Sequence, residues 1–204
     1  MKKTLLAAAL LLPLLTLVSH FAFKPPVATE QGFRSGTFEP PHQAPAFTLD
    51  GSGGKKLSLH DYLGKVVIVE FGYTYCEDVC PVTLSHLTAA FKSLGNAASD
   101  VQLIYITVDP ARDNPERLRE HLTAFNPGFL GATGAPEDLQ SVLKSYGAVA
   151  RQVHSRNPAL PYAMDHSSSL YLVDRQGRLR GLVPFNTPVD DIVHDLRLLL
   201  TATA

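Results

Sequence analysis

Cysteine is scarce in this chain: its 204 residues hold two, Cys76 and Cys80. An iron–sulfur cluster, which takes four such ligands, is therefore excluded. An excess of charge is lacking too. Eighteen Lys and Arg stand against 19 Asp and Glu, so nothing suggests the clustered basic face that nucleic-acid binding needs. There is no internal repeat, and the 15 prolines and 14 glycines are spread as turns rather than gathered in a low-complexity tract. Arginine is absent from residues 1–24, which argues against a mitochondrial transit peptide. No cysteine follows that segment closely, so a lipid-anchored form is not expected. What is present, 45% hydrophobic residues, is enough for one sizeable domain with an extension.

The extension is N-terminal. Lys2 and Lys3 precede a mainly apolar run from Leu5 to Phe23, uncharged apart from whatever His20 carries. Its length is close to the roughly 20 residues of a membrane-spanning helix, so it reads as an anchor or a secretory signal. Ser19-His20-Phe21-Ala22 makes a poor cleavage site, and the run is long for a signal core; an uncleaved anchor over 1–24 is favoured. The lysines would hold that end inside and send the remainder across. The expected location is a bacterial inner membrane, with the domain facing the periplasm. Residues 25–44, rich in Pro and Gly, read as a tether, and 45–204 as the domain.

Within the domain, Phe47–Leu49 and Lys56–Leu59 flank the glycine-rich Gly51–Gly54, a hairpin signal. Val66–Phe71 is β-branched and reads as a buried central strand. Leu84, Leu87, Phe91 and Leu94 recur at helical spacing over Val82–Leu94, and Val101–Val108 is a second core strand. Asn114 and Pro115 open a helix running to about Phe125, and Pro136 opens another, up to Tyr146. Ser168–Val173 and Leu179–Val183 form a hairpin around Asp174–Gly177, and Thr187–Leu200 closes the chain as an amphipathic helix. Parallel βαβ connections followed by a hairpin and a covering helix describe a thioredoxin-like α/β sandwich, a central mixed sheet flanked by helices. A monomer is expected, because no long apolar surface stripe appears beyond the anchor.

The cysteines lie in Phe71-Gly-Tyr-Thr-Tyr-Cys-Glu-Asp-Val-Cys-Pro81, where the first central strand turns into its helix. Open α/β sheets place their sites at that edge. Asp78 is the expected N-cap, with Cys80 in the first turn and Cys76 in the loop before it; the positive helix end would then favour thiolate on Cys80. A structural disulfide between them would close only a short loop and add little stability, whereas strained, exposed bridges are the labile, functional kind. The extra residue relative to Cys-x-x-Cys loosens disulfide-exchange geometry and suits two thiolates converging on a metal. Of the eight histidines, His20, His42, His60, His86, His121, His154 and His194 lie away from the expected site. His166 precedes a core strand, at a loop facing the cysteines, and is the candidate third ligand. Two sulfurs and one nitrogen select copper or zinc. Structural zinc takes four ligands, so three-coordinate Cu(I) fits best, with Cu(II) if water or a carboxylate such as Asp78 joins. Met164 is a candidate auxiliary ligand, although packing is the commoner role for such a methionine.

At these residues the chain resembles the Sco/SenC family of copper-binding proteins. Gly72–Pro81 is similar to the family's cysteine signature, Thr107–Pro115 to its second segment, and Asp165-His-Ser167 to its histidine motif. Leu130–Gly134 with Pro136 resembles a further recurrent stretch. Glu77 departs from the pattern, standing where many relatives carry proline; a change in loop stiffness and redox potential is expected there. The resemblance implies that Cys76, Cys80 and His166 bind copper in a membrane-tethered thioredoxin-like domain. It implies a part in assembling the dinuclear copper centre of cytochrome c oxidase subunit II, by delivering copper or by reducing the target's cysteines. Another periplasmic copper chaperone or a thiol reductase would then be a further partner. Asp109, Arg112 and Asp113 read as a strand-end turn whose charges hydrogen-bond one another; shaping the copper loop is the functional reading beside that. A thiol–disulfide oxidoreductase using Cys76 and Cys80 is the rival function, and a redox or copper sensor the third.

Overall fold

The computed structural model describes residues 32–202. The expected anchor over 1–24 lies outside them, and among the described residues no helix is long and apolar enough to cross a membrane.

The centre of the sheet is β4 (Val66–Gly72), in which all seven residues are buried. It pairs in parallel with β5 (Val101–Thr107), which pairs in parallel with β6 (Leu130–Thr133). On the other side β4 meets β9 (Leu170–Val173) antiparallel, and β9 turns into β10 (Arg178–Val183). With β1 (Gly36–Gln43), β2 (Thr48–Gly51) and β3 (Lys56–Ser58), the sheet has eight strands in the order β1-β10-β9-β4-β5-β6-β2-β3. Runs of β-branched residues suit strands buried on both faces. α1 (Val79–Leu94), α2 (Pro115–Thr123) and α4 (Val189–Thr201) pack on one face, through Leu84, Leu87, Leu118, Leu122 and Leu196 against Ile68 and Leu103. α3 (Pro136–Ser145) covers the other, with Leu139 and Val142 against Val69, Phe71 and Ile106. Each such fully buried leucine stabilises the fold by about 1.5–3 kcal/mol.

Local chemistry explains most boundaries. The Asn114 side chain accepts the Arg117 N–H at 2.8 Å, capping α2, and Pro115 occupies the first turn, where a missing N–H costs nothing. The Asp174 carboxylate accepts the N–H groups of Gln176 and Arg178, closing the β9–β10 turn with Gly177 at φ +76°.

Three features depart from the sequence reading. Residues 36–43, assigned to the tether, form β1 at the sheet edge, paired with β10. Pro40 and Pro41 fall where its register breaks between Thr37 and His42, the kind of edge position that tolerates proline. β6 intervenes between α2 and α3. The polar stretch around His154 starts from β7 (Ala150–Val153), which pairs with β8 (Ala163–His166) as a separate two-stranded sheet.

Candidate metal centre

The chain leaves β4 at Gly72, where even a methyl group would stand 2.2 Å from the Tyr105 hydroxyl. Glycine is required at that step. Beyond it, buried Asp113 fixes the loop: its carboxylate accepts the Thr74 N–H at 3.0 Å, the Thr74 hydroxyl at 2.6 Å and the Thr107 hydroxyl at 2.7 Å. The 109–113 turn thus has a definite role, which is to tie the cysteine loop to the end of β5.

α1 begins at Val79 with Asp78 as N-cap, as expected, but the Asp78 side chain makes no capping bond. The Cys80 N–H instead donates to Cys76 Sγ at 3.3 Å. This reverses the expected acidity order. The Cys80 thiol bonding to Cys76, assisted by His166 and by the Cys80 and Asp78 N–H groups, overcomes burial and lowers the Cys76 thiol to about 4. Cys80 is 1% exposed; its bond to Cys76 and its burial push it far above the ordinary thiol range. The helix end therefore stabilises thiolate on half-buried Cys76, and Cys80 keeps the proton.

His166 ends β8. Its Nδ1 lies 2.9 Å from the Ser167 carbonyl, which can only accept, so Nδ1 carries a proton and Nε2 is the nitrogen turned toward the sulfurs. Nε2 is 3.5 Å from Cys80 Sγ, and the imidazole meets the Tyr73 ring edge-on at 5.8 Å. Donor atoms of Cys76, Cys80 and His166 all lie within 4.8 Å of one another. This is a soft trigonal set, open to a groove of about 720 Å³ lined by Tyr75, Asp78, His154 and Met164 among others. Met164 also packs against the core cluster that holds Tyr73, and its N–H donates to the Tyr73 hydroxyl at 3.2 Å. Of the described histidines only His166 joins the donor cluster. His154 lines the groove, and His121 is held against Tyr105 and Phe125.

Two polar residues beneath the site escaped the sequence reading. Glu70 is 3% exposed with an unpartnered Oε2, and it sits in register with Tyr105, whose hydroxyl is also unpartnered. Burial, and after it the negative Cys76, raises Glu70 well above the usual carboxylate range. A lone acid inside Val66-Val-Ile-Val-Glu-Phe71 was the available signal. Glu77, the departure noted above, accepts a hydrogen bond from Asn157 Nδ2 at 2.6 Å, across the groove.

Comparison with known proteins agrees with this geometry. Residues 36–201 match the SCO1/SenC family model. The protein sco1 of Schizosaccharomyces pombe is 33% identical over 154 residues, covering 74% of this chain and 59% of the relative. The chain spans less than two thirds of the length of the curated relatives it matches first. Bradyrhizobium japonicum ScoI, solved with copper bound, superposes with a TM-score of 0.70 at 32% identity, over 78% of this chain and 99% of that one. BsSco, described as having a disulfide switch and as a member of the Sco family of cytochrome c oxidase assembly proteins, gives 0.62 at 28% identity, over 80% and 96%. With the family model spanning all of the sheet and both halves of the donor cluster, this chain belongs to the SCO1/SenC family.

Proposed function

We propose that the protein carries a copper ion on Cys76, Cys80 and His166 and serves assembly of the dinuclear copper centre in cytochrome c oxidase subunit II. Copper is cargo here, held and then given up. The observation that carries this reading is the convergence of two sulfurs and the imidazole Nε2 of His166. Copper-bound ScoI and the oxidase-assembly role stated for BsSco support it. The N-terminal segment, on this reading, anchors the chain in a bacterial inner membrane with the domain in the periplasm, supported by Lys2, Lys3 and the apolar run after them.

Loading needs little rearrangement. Cys76 is the more acidic of the pair, through the hydrogen bonds it accepts, and buried Cys80 is the thiol whose proton copper must displace. His166 is oriented by the Ser167 carbonyl in the way such acceptors orient ligating histidines. Release is redox-gated. Cys76 thiolate attacks one sulfur of a target disulfide and expels the other as thiolate; Cys80 thiolate then attacks Cys76 Sγ and frees the first target sulfur. Two electrons pass to the target, one disulfide breaks and one forms. The carrier loses both sulfur ligands as the target gains two.

The same asymmetry favours a second reading, in which the protein is a thiol–disulfide oxidoreductase that reduces the oxidase's cysteines. A half-exposed thiolate beside a buried resolving thiol is the arrangement such exchange uses. Anaerobic Cu(I) titration of the reduced protein separates the two. The expected result is one tightly held copper per chain, lost in Cys76→Ala and in Cys80→Ala, with uptake releasing protons and strengthening as pH rises. No copper uptake, with rapid reduction of a disulfide peptide, moves the function to the oxidoreductase.

A further inference from the structure

We propose that Arg112 is a positioning residue that clamps the hairpin carrying His166 onto the loop carrying the cysteines, and so sets the nitrogen-to-sulfur geometry of the site. The inference rests on the copper reading for its consequence and on this structure for its existence.

The hairpin of β7 and β8 does not belong to the main sheet. No residue of either strand is fully buried, so hydrophobic burial alone holds it weakly. Arg112 stands between the hairpin and the cysteine loop. Its Nη1 donates to the Tyr162 carbonyl at 3.1 Å, one residue before β8 begins. Its guanidinium carbon lies 3.8 Å from the Tyr162 ring centroid, 4.7 Å from that of Tyr75 and 5.7 Å from that of Tyr73. Tyr75 immediately precedes Cys76, and Tyr73 packs edge-on against His166. One planar cation therefore touches the flanks of both ligand-bearing segments.

The clamp is itself anchored. Arg112 Nε donates to Asp109 Oδ2, and the Tyr162 hydroxyl donates to Asp109 Oδ1 at 2.8 Å. The turn holding Asp109 is fixed to β5 by the Thr107 hydroxyl, which accepts the Asp109 N–H at 3.0 Å. Nη2 is buried without a hydrogen-bond partner, so part of the cation's stabilisation comes from the aromatic faces around it. Lysine reproduces the charge but not the planar fork or the stacking. Arg117, over Tyr75 at 4.2 Å and bonded to Thr74 Oγ1, reinforces only the cysteine side. The exposed Glu77–Asn157 bond crosses the groove without reaching β8.

The test uses the full chain with Arg112→Lys, Arg112→Gln and Tyr162→Leu. The last keeps Arg112 in place and alters a half-buried residue of the hairpin, so it covers the event that Arg112 variants fold poorly. Hydrogen exchange on the metal-free protein should speed up at residues 150–166 in all three, with β4 and β5 unchanged. Cu(I) affinity should fall by roughly 10-fold, at the low end of outer-shell effects, and Arg112→Lys should not rescue it. In a His166→Ala background the further loss from Arg112→Gln should shrink to less than about 2-fold, the coupling expected of one unit. Unchanged hairpin exchange in the variants, or an equal affinity loss with and without His166, overturns the clamp. A wild-type chain that takes up no copper sinks the copper reading instead, and leaves the exchange measurement to judge the clamp.

Discussion

The two halves of the donor set are built by different means. Cys76 and Cys80 leave a strand whose seven residues are all buried, and Asp113 binds their loop with three hydrogen bonds. His166 ends a four-residue strand with no fully buried position, on a two-stranded sheet outside the main one. The sulfur half shares the stability of the core, whereas the imidazole half depends on a few side-chain contacts. Elements of the second kind open at lower free energy than the global fold. On the proposed copper reading, the core-held sulfurs define the place and the less firmly held imidazole completes the donor set.

The largest effect that would break this contrast concerns His166. His166→Ala should leave the fold intact and lower Cu(I) affinity by more than the ~10–100-fold of an outer-shell change, with weaker discrimination between Cu(I) and Cu(II). Chelator competition measures both, and undiminished affinity would remove the imidazole from the site. Next in size, Asp113→Ala should destabilise the fold by about 3 kcal/mol, because three donors, two on half-buried Thr74 and one on buried Thr107, lose their shared acceptor. Urea unfolding reads this, and an unshifted midpoint would mean that the cysteine loop does not depend on the core turn.

Glu70 sharpens the comparison from below the sulfurs. Its folded-state pKa lies above its ordinary value of 4.5, so the native protein holds a proton that the unfolded chain releases. The associated stability is fully present below about pH 4.5 and falls as pH rises toward the folded value. Glu70→Gln should therefore raise the melting temperature at pH 8 and leave it nearly unchanged near pH 4. A pH-independent difference in calorimetry would contradict the buried, protonated state. The smallest effect is expected at Glu77. Glu77→Pro removes the exposed bond to Asn157 and should change unfolding free energy by only about 0.5 kcal/mol; a loss several times larger would make this surface bond a second clamp.

Much of this was legible in the chain. Val66–Phe71 and Val101–Val108 announced the core strands by β-branched content, and Asn114-Pro115 and Asp174–Gly177 announced a cap and a turn. The residues of the donor set were legible too, from the unusual cysteine spacing and from the place of His166 just before a strand. β1 was hidden because two prolines sit in it, and only the sheet's edge location makes them tolerable. β7 and β8 were hidden because they are short and exposed, so they carry no hydrophobic alternation.

The sequence by itself determined which atoms could meet a soft metal, since residue type decides donor chemistry, and it determined the strands and helices whose periodicity reports burial. The tertiary structure alone decided how the two sulfurs differ. That depends on the Cys80 N–H meeting Cys76 Sγ while Cys80 is sealed from water, a matter of contact rather than spacing. It likewise decided that Arg112, far from His166 in the chain, stands against the hairpin that carries the imidazole. Long-range packing brings such groups together, and no local pattern records it.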